Sequence, residues 1–250
     1  MMPLAFRRVA LALCAAPLAL GLVACKKSEN GSASVATGPI AATPPPAGKQ
    51  WSEVVRETPE GGMAMGNPNA PIKLLEYGSL SCPHCAKLAN EGMQQLIDKY
   101  VNSGRVQYEF RSFAIHGIDV PLTVLARCGS PEAFFGLVEQ LYSNQDAVIT
   151  RAQQGDAKAQ AAATLPPNQR MVAMADAYGL PDFFAQRGVS VDQAHACLAN
   201  PAAAESVAKN AQTWGDAGID STPTLLINGR KVDAHTWAEL EPALQSAGAR

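Results

Sequence analysis

The chain has 250 residues, 47% of them apolar and 17% charged, enough to bury the core of one large domain or two small ones. Its formal net charge is −2, and it carries no basic stripe with interleaved aromatics, which argues against nucleic acid as a partner. Six cysteines run from Cys14 to Cys197, and their positions say more than their number.

Arg7 and Arg8 precede a run from Val9 to Ala24 that is apolar apart from Cys14, Pro17 and Gly21. A positive start followed by a short apolar stretch is the pattern of a secretory signal, and the run is short for a membrane span of about 20 residues. Leu22-Val23-Ala24-Cys25 resembles the bacterial lipobox. That resemblance implies a lipoprotein signal peptide over 1–24, cleavage before Cys25, and lipidation of Cys25 as a membrane anchor. An ordinary cleaved signal or a retained anchor is the alternative. Residues 25–50 are rich in Pro, Ala and Ser and hold few large side chains to bury, so they are expected to form a disordered tether.

From Trp51 to Arg250 a folded domain is expected. Ile72 to Gly78 is a short apolar run that predicts a buried strand. After a turn at Ser79 to Ser81, a helix is predicted from Pro83 to about Asn102. Leu88, Met93, Leu96, Ile97 and Tyr100 mark its apolar face, and Gly104 is its C-terminal stop. Val106, Tyr108 and Phe110 alternate with polar residues and predict a second strand, closing a βαβ unit. A helical block follows, about 115–215, with Ser130-Pro131, Ser190 and Asn200-Pro201 as helix starts. Within it, Gln153 to Pro167 is expected to be partly loop. Thr224 to Ile227 predicts a strand, Asn228-Gly229 a hairpin turn, and Thr236 with Glu239 a capping box opening a last helix. The order is βαβ, helical insertion, ββα, an α/β fold; a thioredoxin-like core interrupted by a helical insertion would give that order.

Cys82-Pro83-His84-Cys85 stands between the first strand and its helix. A CxxC at that place is a specific redox signal, because the helix N-terminus favours a thiolate on the first sulfur. A protonated His84 would add positive charge. Cys82 is therefore expected to be the exposed sulfur that forms mixed disulfides, and Cys85 its buried partner. Half of a zinc site is the alternative, but no second CxxC or HxxxH supplies the other ligands. His116, His195 and His235 are expected to be surface or packing residues. Trp51, Trp214 and Trp237 are expected in the core or a groove wall, and Met63 and Met65 in loop packing.

Cys82-Pro83-His84-Cys85 and Ser221-Thr222-Pro223-Thr224 together resemble the DsbA-like branch of the thioredoxin superfamily, over roughly Val54 to Ala247. The resemblance implies a cis Pro223 against the active-site sulfurs, with Thr222 offering backbone to an extended substrate. It implies that Glu76, six residues before Cys82, is half-buried and moves protons to and from Cys85. It also suggests a structural disulfide between Cys128 and Cys197, two free thiols or a second redox pair being the alternatives. The implied activity is protein thiol:disulfide exchange, most directly the oxidation of reduced or misoxidised secreted proteins. It needs no cofactor beyond the Cys82–Cys85 disulfide, which a membrane partner resembling DsbB would restore. The implied place of work is the periplasmic face of a bacterial membrane, with a monomer as the default state. A periplasmic reductase or isomerase, and a non-catalytic peptide-binding or chaperone-like module, are the competing functions.

Overall fold

The computed structural model describes residues 40–250. The leader, Cys25 and the tether up to residue 39 lie outside the described residues. No helix among the described residues is long and apolar enough to cross a membrane.

The centre of the fold is the strand β3 (Ile72–Gly78), flanked on one side by the parallel β4 (Val106–Ser112). The helix α1 (Pro83–Gln95) joins them and ends in a π-helical turn, Leu96–Val101. Chain reversal follows at Gly104, whose φ is +73°. On its other side β3 pairs antiparallel with β5 (Thr224–Ile227), and β6 (Arg230–Val232) closes that edge through the Asn228-Gly229 turn. Tyr77 is registered with Thr224. The end of β3 therefore meets the beginning of β5, and the segments that lead into Cys82 and out of Pro223 are brought together.

Two strands were not expected. β1 (Val55–Glu57) and β2 (Met63–Met65) extend the sheet to the order β1-β2-β4-β3-β5-β6. Met63 and Met65, predicted as loop packing, are buried in strand β2, where Met65 faces Tyr108 across the ladder. Each of the two strands has only three residues, too few for an alternation to show.

The end of the predicted tether is also different. Residues 40–50 lie on the domain: Ile40 N–H donates to Gly248 O, Arg105 donates to Ile40 O, and the Trp51 indole donates to Thr43 O. Little of this segment is buried, so it is held mainly by hydrogen bonds to its backbone, with Ile40 packed against the edge of the core.

Between β4 and β5 lies the helical insertion: α2 (Asp119–Ala126), α3 (Phe134–Ser143), α4 (Gln145–Ala161), α5 (Pro167–Tyr178), α6 (Leu180–Ala185), α7 (Val191–Leu198) and α8 (Pro201–Asp216). The stretch from Gln153, predicted as partly loop, is helical to Ala161 and continues as a 3-10 turn to Thr164. Its Ala, Gln and Lys residues are good helix formers. Gly155 lets α4 approach α5 closely: a Cβ there would stand 2.1 Å from Ala177 O. Cys128, after α2, and Cys197, in α7, are joined by a disulfide with an S–S distance of 2.02 Å. The last helix, α9 (Trp237–Ser246), opens with the Thr236/Glu239 capping box and covers the sheet with Trp237, Leu240 and Leu244.

Candidate active site

Cys82 is the N-cap residue of α1, with extended backbone, and Pro83 occupies the first helical position. Proline costs nothing there, because that N–H has no partner within the helix. The Cys82 side chain makes no capping hydrogen bond to the helix as a thiol. Both cysteines are free. Cys82 Sγ lies 3.4 Å from Thr222 O, and the Thr222–Pro223 peptide is cis, with Pro223 buried. The two motifs separated by 140 positions thus form one site.

The two sulfurs have opposite electrostatic settings. Cys82 is lowered from the ordinary thiol value of 9.0 to about 5, chiefly by a hydrogen bond from the Cys85 thiol. The Thr222 side chain and the backbone N–H groups of Cys85 and His84 lower it further, against the opposing effect of burial. Once ionised, the sulfur is the missing helix cap: it takes the N–H groups that a Ser or Asp oxygen takes elsewhere. Cys85 is pushed far up, first by burial and then by its role as donor to Cys82 and by the Glu76 charge.

Cys82, predicted as the exposed sulfur, is only 5% exposed, and Cys85 is fully covered. His84 is exposed, and its contribution to Cys82 is its backbone N–H, not a ring charge. Glu76, predicted to be half-buried, is 5% exposed. It accepts a 2.7 Å hydrogen bond from the Tyr108 hydroxyl. Its carboxyl is raised from 4.5 to about 7 by burial, with the Tyr108 bond opposing and the Cys82 charge adding to the rise. A carboxyl at that value can both give and take a proton near neutral pH.

Four residues of the site escaped the sequence. Tyr108 was recognised only as a strand residue. Asp119, Tyr142 and Gln145, all buried and all from the insertion, contact the turn Ser79–Cys82. Their separations of 38 to 65 positions leave no periodic trace. His116, predicted as surface or packing, meets Ser81 Oγ through Nδ1 at 2.8 Å, beside the redox turn.

This geometry has relatives. A family model described as Thioredoxin matches residues 58–246, and the chain belongs to that family. A crystal structure of protein-disulfide isomerase from Novosphingobium aromaticivorans is 29% identical, with a TM-score of 0.68 over 74% of this chain and 96% of that one. Alpha-DsbA1 of Wolbachia pipientis, 18% identical, has a TM-score of 0.58 over 74% and 89% of the two chains, a likeness of fold. A putative protein-disulfide oxidoreductase of Rickettsia bellii is 32% identical over 88 residues, 35% of this chain and 34% of that protein. The chain thus spans about a third of the length of the curated relatives that it matches first.

Proposed function

We propose that the chain is a thiol:disulfide oxidoreductase that oxidises protein thiols outside the cytoplasm through Cys82 and Cys85. The observation that carries this reading is the placement of the two sulfurs: Cys82 at the N-cap of α1 with its Sγ 3.4 Å from Thr222 O before the cis Pro223, and Cys85 buried one turn behind it, an arrangement that lowers the first thiol and raises the second. In the oxidised enzyme, a substrate thiolate attacks Cys82 Sγ. A substrate–Cys82 bond forms, the Cys82–Cys85 bond breaks, and the Cys85 sulfur leaves with a proton from Glu76. A second substrate thiolate then attacks the substrate sulfur of the mixed disulfide. The substrate disulfide forms, and Cys82 leaves as its stabilised thiolate. The substrate has lost two electrons and the cysteine pair has gained them.

The forward direction follows from the chemistry of the intermediate. A low-pKa thiol leaves fastest, so the mixed disulfide resolves readily at Cys82. The competing attack by Cys85, which would hand the substrate back reduced, needs a thiolate that burial disfavours. A membrane oxidase resembling DsbB would take the two electrons back out. The leader and lipobox support a membrane-anchored chain at the periplasmic face. Loss of lipid incorporation on Cys25→Ala tests that anchor; unchanged incorporation contradicts it.

For the activity itself, Cys85→Ser mixed with a disulfide-bonded substrate should hold a substrate–Cys82 mixed disulfide, formed as the Cys82 thiolate displaces one sulfur of that disulfide and visible by mass spectrometry, and Cys82→Ser should oxidise nothing. Turnover by Cys82→Ser contradicts the assignment. The likeness to the protein-disulfide isomerase of Novosphingobium aromaticivorans supports isomerisation as a second reading. Recovery of a scrambled substrate under reducing conditions, without added oxidant, would favour it.

A further inference from the structure

We propose that the helical insertion is a clamp on the nucleophile: Asp119, Tyr142 and Gln145 are positioning residues that grip the backbone of Ser79–Cys82. The proposal rests on the oxidoreductase reading and names what holds its reacting sulfur in place.

The turn is held from three helices. Asp119, the first residue of α2 and 1% exposed, accepts the Ser79 hydroxyl at 3.0 Å and the Ser81 N–H at 2.9 Å. It also accepts the N–H groups of Ile115 and His116, which fixes the entry into the insertion against the same carboxylate. From α3, the buried Tyr142 hydroxyl donates to Ser79 O at 3.1 Å. From the start of α4, the Gln145 amide donates to Leu80 O at 2.9 Å and to Cys82 O at 3.1 Å. Apart from the Ile115 and His116 N–H groups, every one of these partners belongs to the four residues Ser79–Cys82.

The physical need for a clamp is specific. Cys82 is an N-cap without a capping side chain until it ionises, so within α1 only the Ala86 N–H on Cys82 O holds its backbone, and that carbonyl calls for a second restraint. Gln145 supplies that restraint. Cys82 O receives both the Gln145 amide and the first helical N–H, that of Ala86 at 3.1 Å. With the carbonyl held, the sulfur stays over the N–H groups of His84 and Cys85. A buried amide with no function would more cheaply be apolar, since leaving its partners unpaired is costly.

The test is the thiolate titration of the reduced full chain, followed by ultraviolet absorbance, for Gln145→Leu and Tyr142→Phe. Gln193→Ala is the control, because it removes a comparable 2.8 Å bond to Cys128 O remote from the turn. Gln145→Leu should raise the Cys82 midpoint by about one unit, which is about a tenfold lower thiolate fraction in acid. Its equilibrium constant against glutathione should become less oxidising by about the same factor. Tyr142→Phe should shift both in the same direction by less, and Gln193→Ala should shift neither. A folded Gln145→Leu with both quantities unchanged overturns the clamp. If that variant does not fold, an unchanged midpoint in Tyr142→Phe overturns it. The two readings fail separately: an acidic Cys82 that shifts in these variants, in a chain that oxidises no dithiol, keeps the clamp and removes the oxidase.

Discussion

Glu76 and Tyr108 share a 2.7 Å hydrogen bond in the interior of the domain, on adjacent parallel strands. Tyr108 donates, so its own ionisation is pushed well up by burial and by the carboxylate beside it. For Glu76 burial outweighs the bond, and the carboxyl rests at about 7.

That value makes a stability prediction with a definite sign. A carboxyl whose folded value is raised contributes most when protonated, below its ordinary 4.5, and the contribution is lost as pH rises through about 7. Urea denaturation of the disulfide form, which lacks the Cys82 charge that adds to the rise, should show wild type losing stability relative to Glu76→Gln as pH rises, by less than about 3 kcal/mol. Parallel stability curves for the two proteins contradict a buried, raised Glu76. Thiol–disulfide exchange by Glu76→Gln should also lose part of its pH dependence near neutrality.

Cys82 has the opposite sign. Its folded value is depressed to about 5, so the stability it lends the reduced protein is full above the ordinary 9.0 and disappears as pH falls through about 5. The reduced form should therefore gain on the disulfide form as pH rises across that window. Denaturation midpoints of both forms over pH check this. A gap that does not change with pH removes the acidic Cys82.

The Cys128–Cys197 disulfide spans 69 positions. In the chain-entropy model a loop of that size is worth about 4 kcal/mol. Replacing both residues with Ala should lower stability by roughly that amount and leave Cys82-dependent exchange in place at low temperature. Two blockable thiols at these positions in the oxidised wild type would show that the bond does not form.

Gly92 in α1 faces the Trp237 ring, and a Cβ at Gly92 would stand 2.4 Å from it. Ala is favoured over Gly by about 1 kcal/mol in an open helix. Here the clash involves a buried ring, and overpacking of that kind costs about 1–3 kcal/mol. Gly92→Ala should be net destabilising by thermal denaturation; a raised melting temperature would mean that α9 moves aside freely.

What the sequence made legible followed from local signals. β3 shows as an apolar run, α1 as an amphipathic period opened by Pro83, and the β5–β6 turn as Asn228-Gly229. The CPHC motif and the distant Thr222-Pro223 were readable as one site because a known superfamily joins them. The failures were non-local. β1 and β2 exist only through pairing with each other and with β4. The segment at Ile40 is held through its own backbone, by the Arg105 side chain and by Gly248 O, which no side-chain pattern within the segment announces. Asp119, Tyr142 and Gln145 are ordinary polar residues until tertiary packing sets them against Ser79–Cys82. The acidity of Cys82 was foreseen from the helix N-terminus, whose His84 and Cys85 N–H groups do lower it; its largest cause, the Cys85 thiol, was not foreseen, and the His84 ring charge expected to add to it is not among the causes.

The most direct test of the central claim is the redox equilibrium of Cys82 and Cys85 against glutathione at neutral pH. A thiolate stabilised as the structure arranges it predicts a potential near about −120 mV, that of strong protein oxidants. A potential near about −270 mV, that of thioredoxin-like reductants, would contradict the account and make the chain a donor of electrons to oxidised proteins.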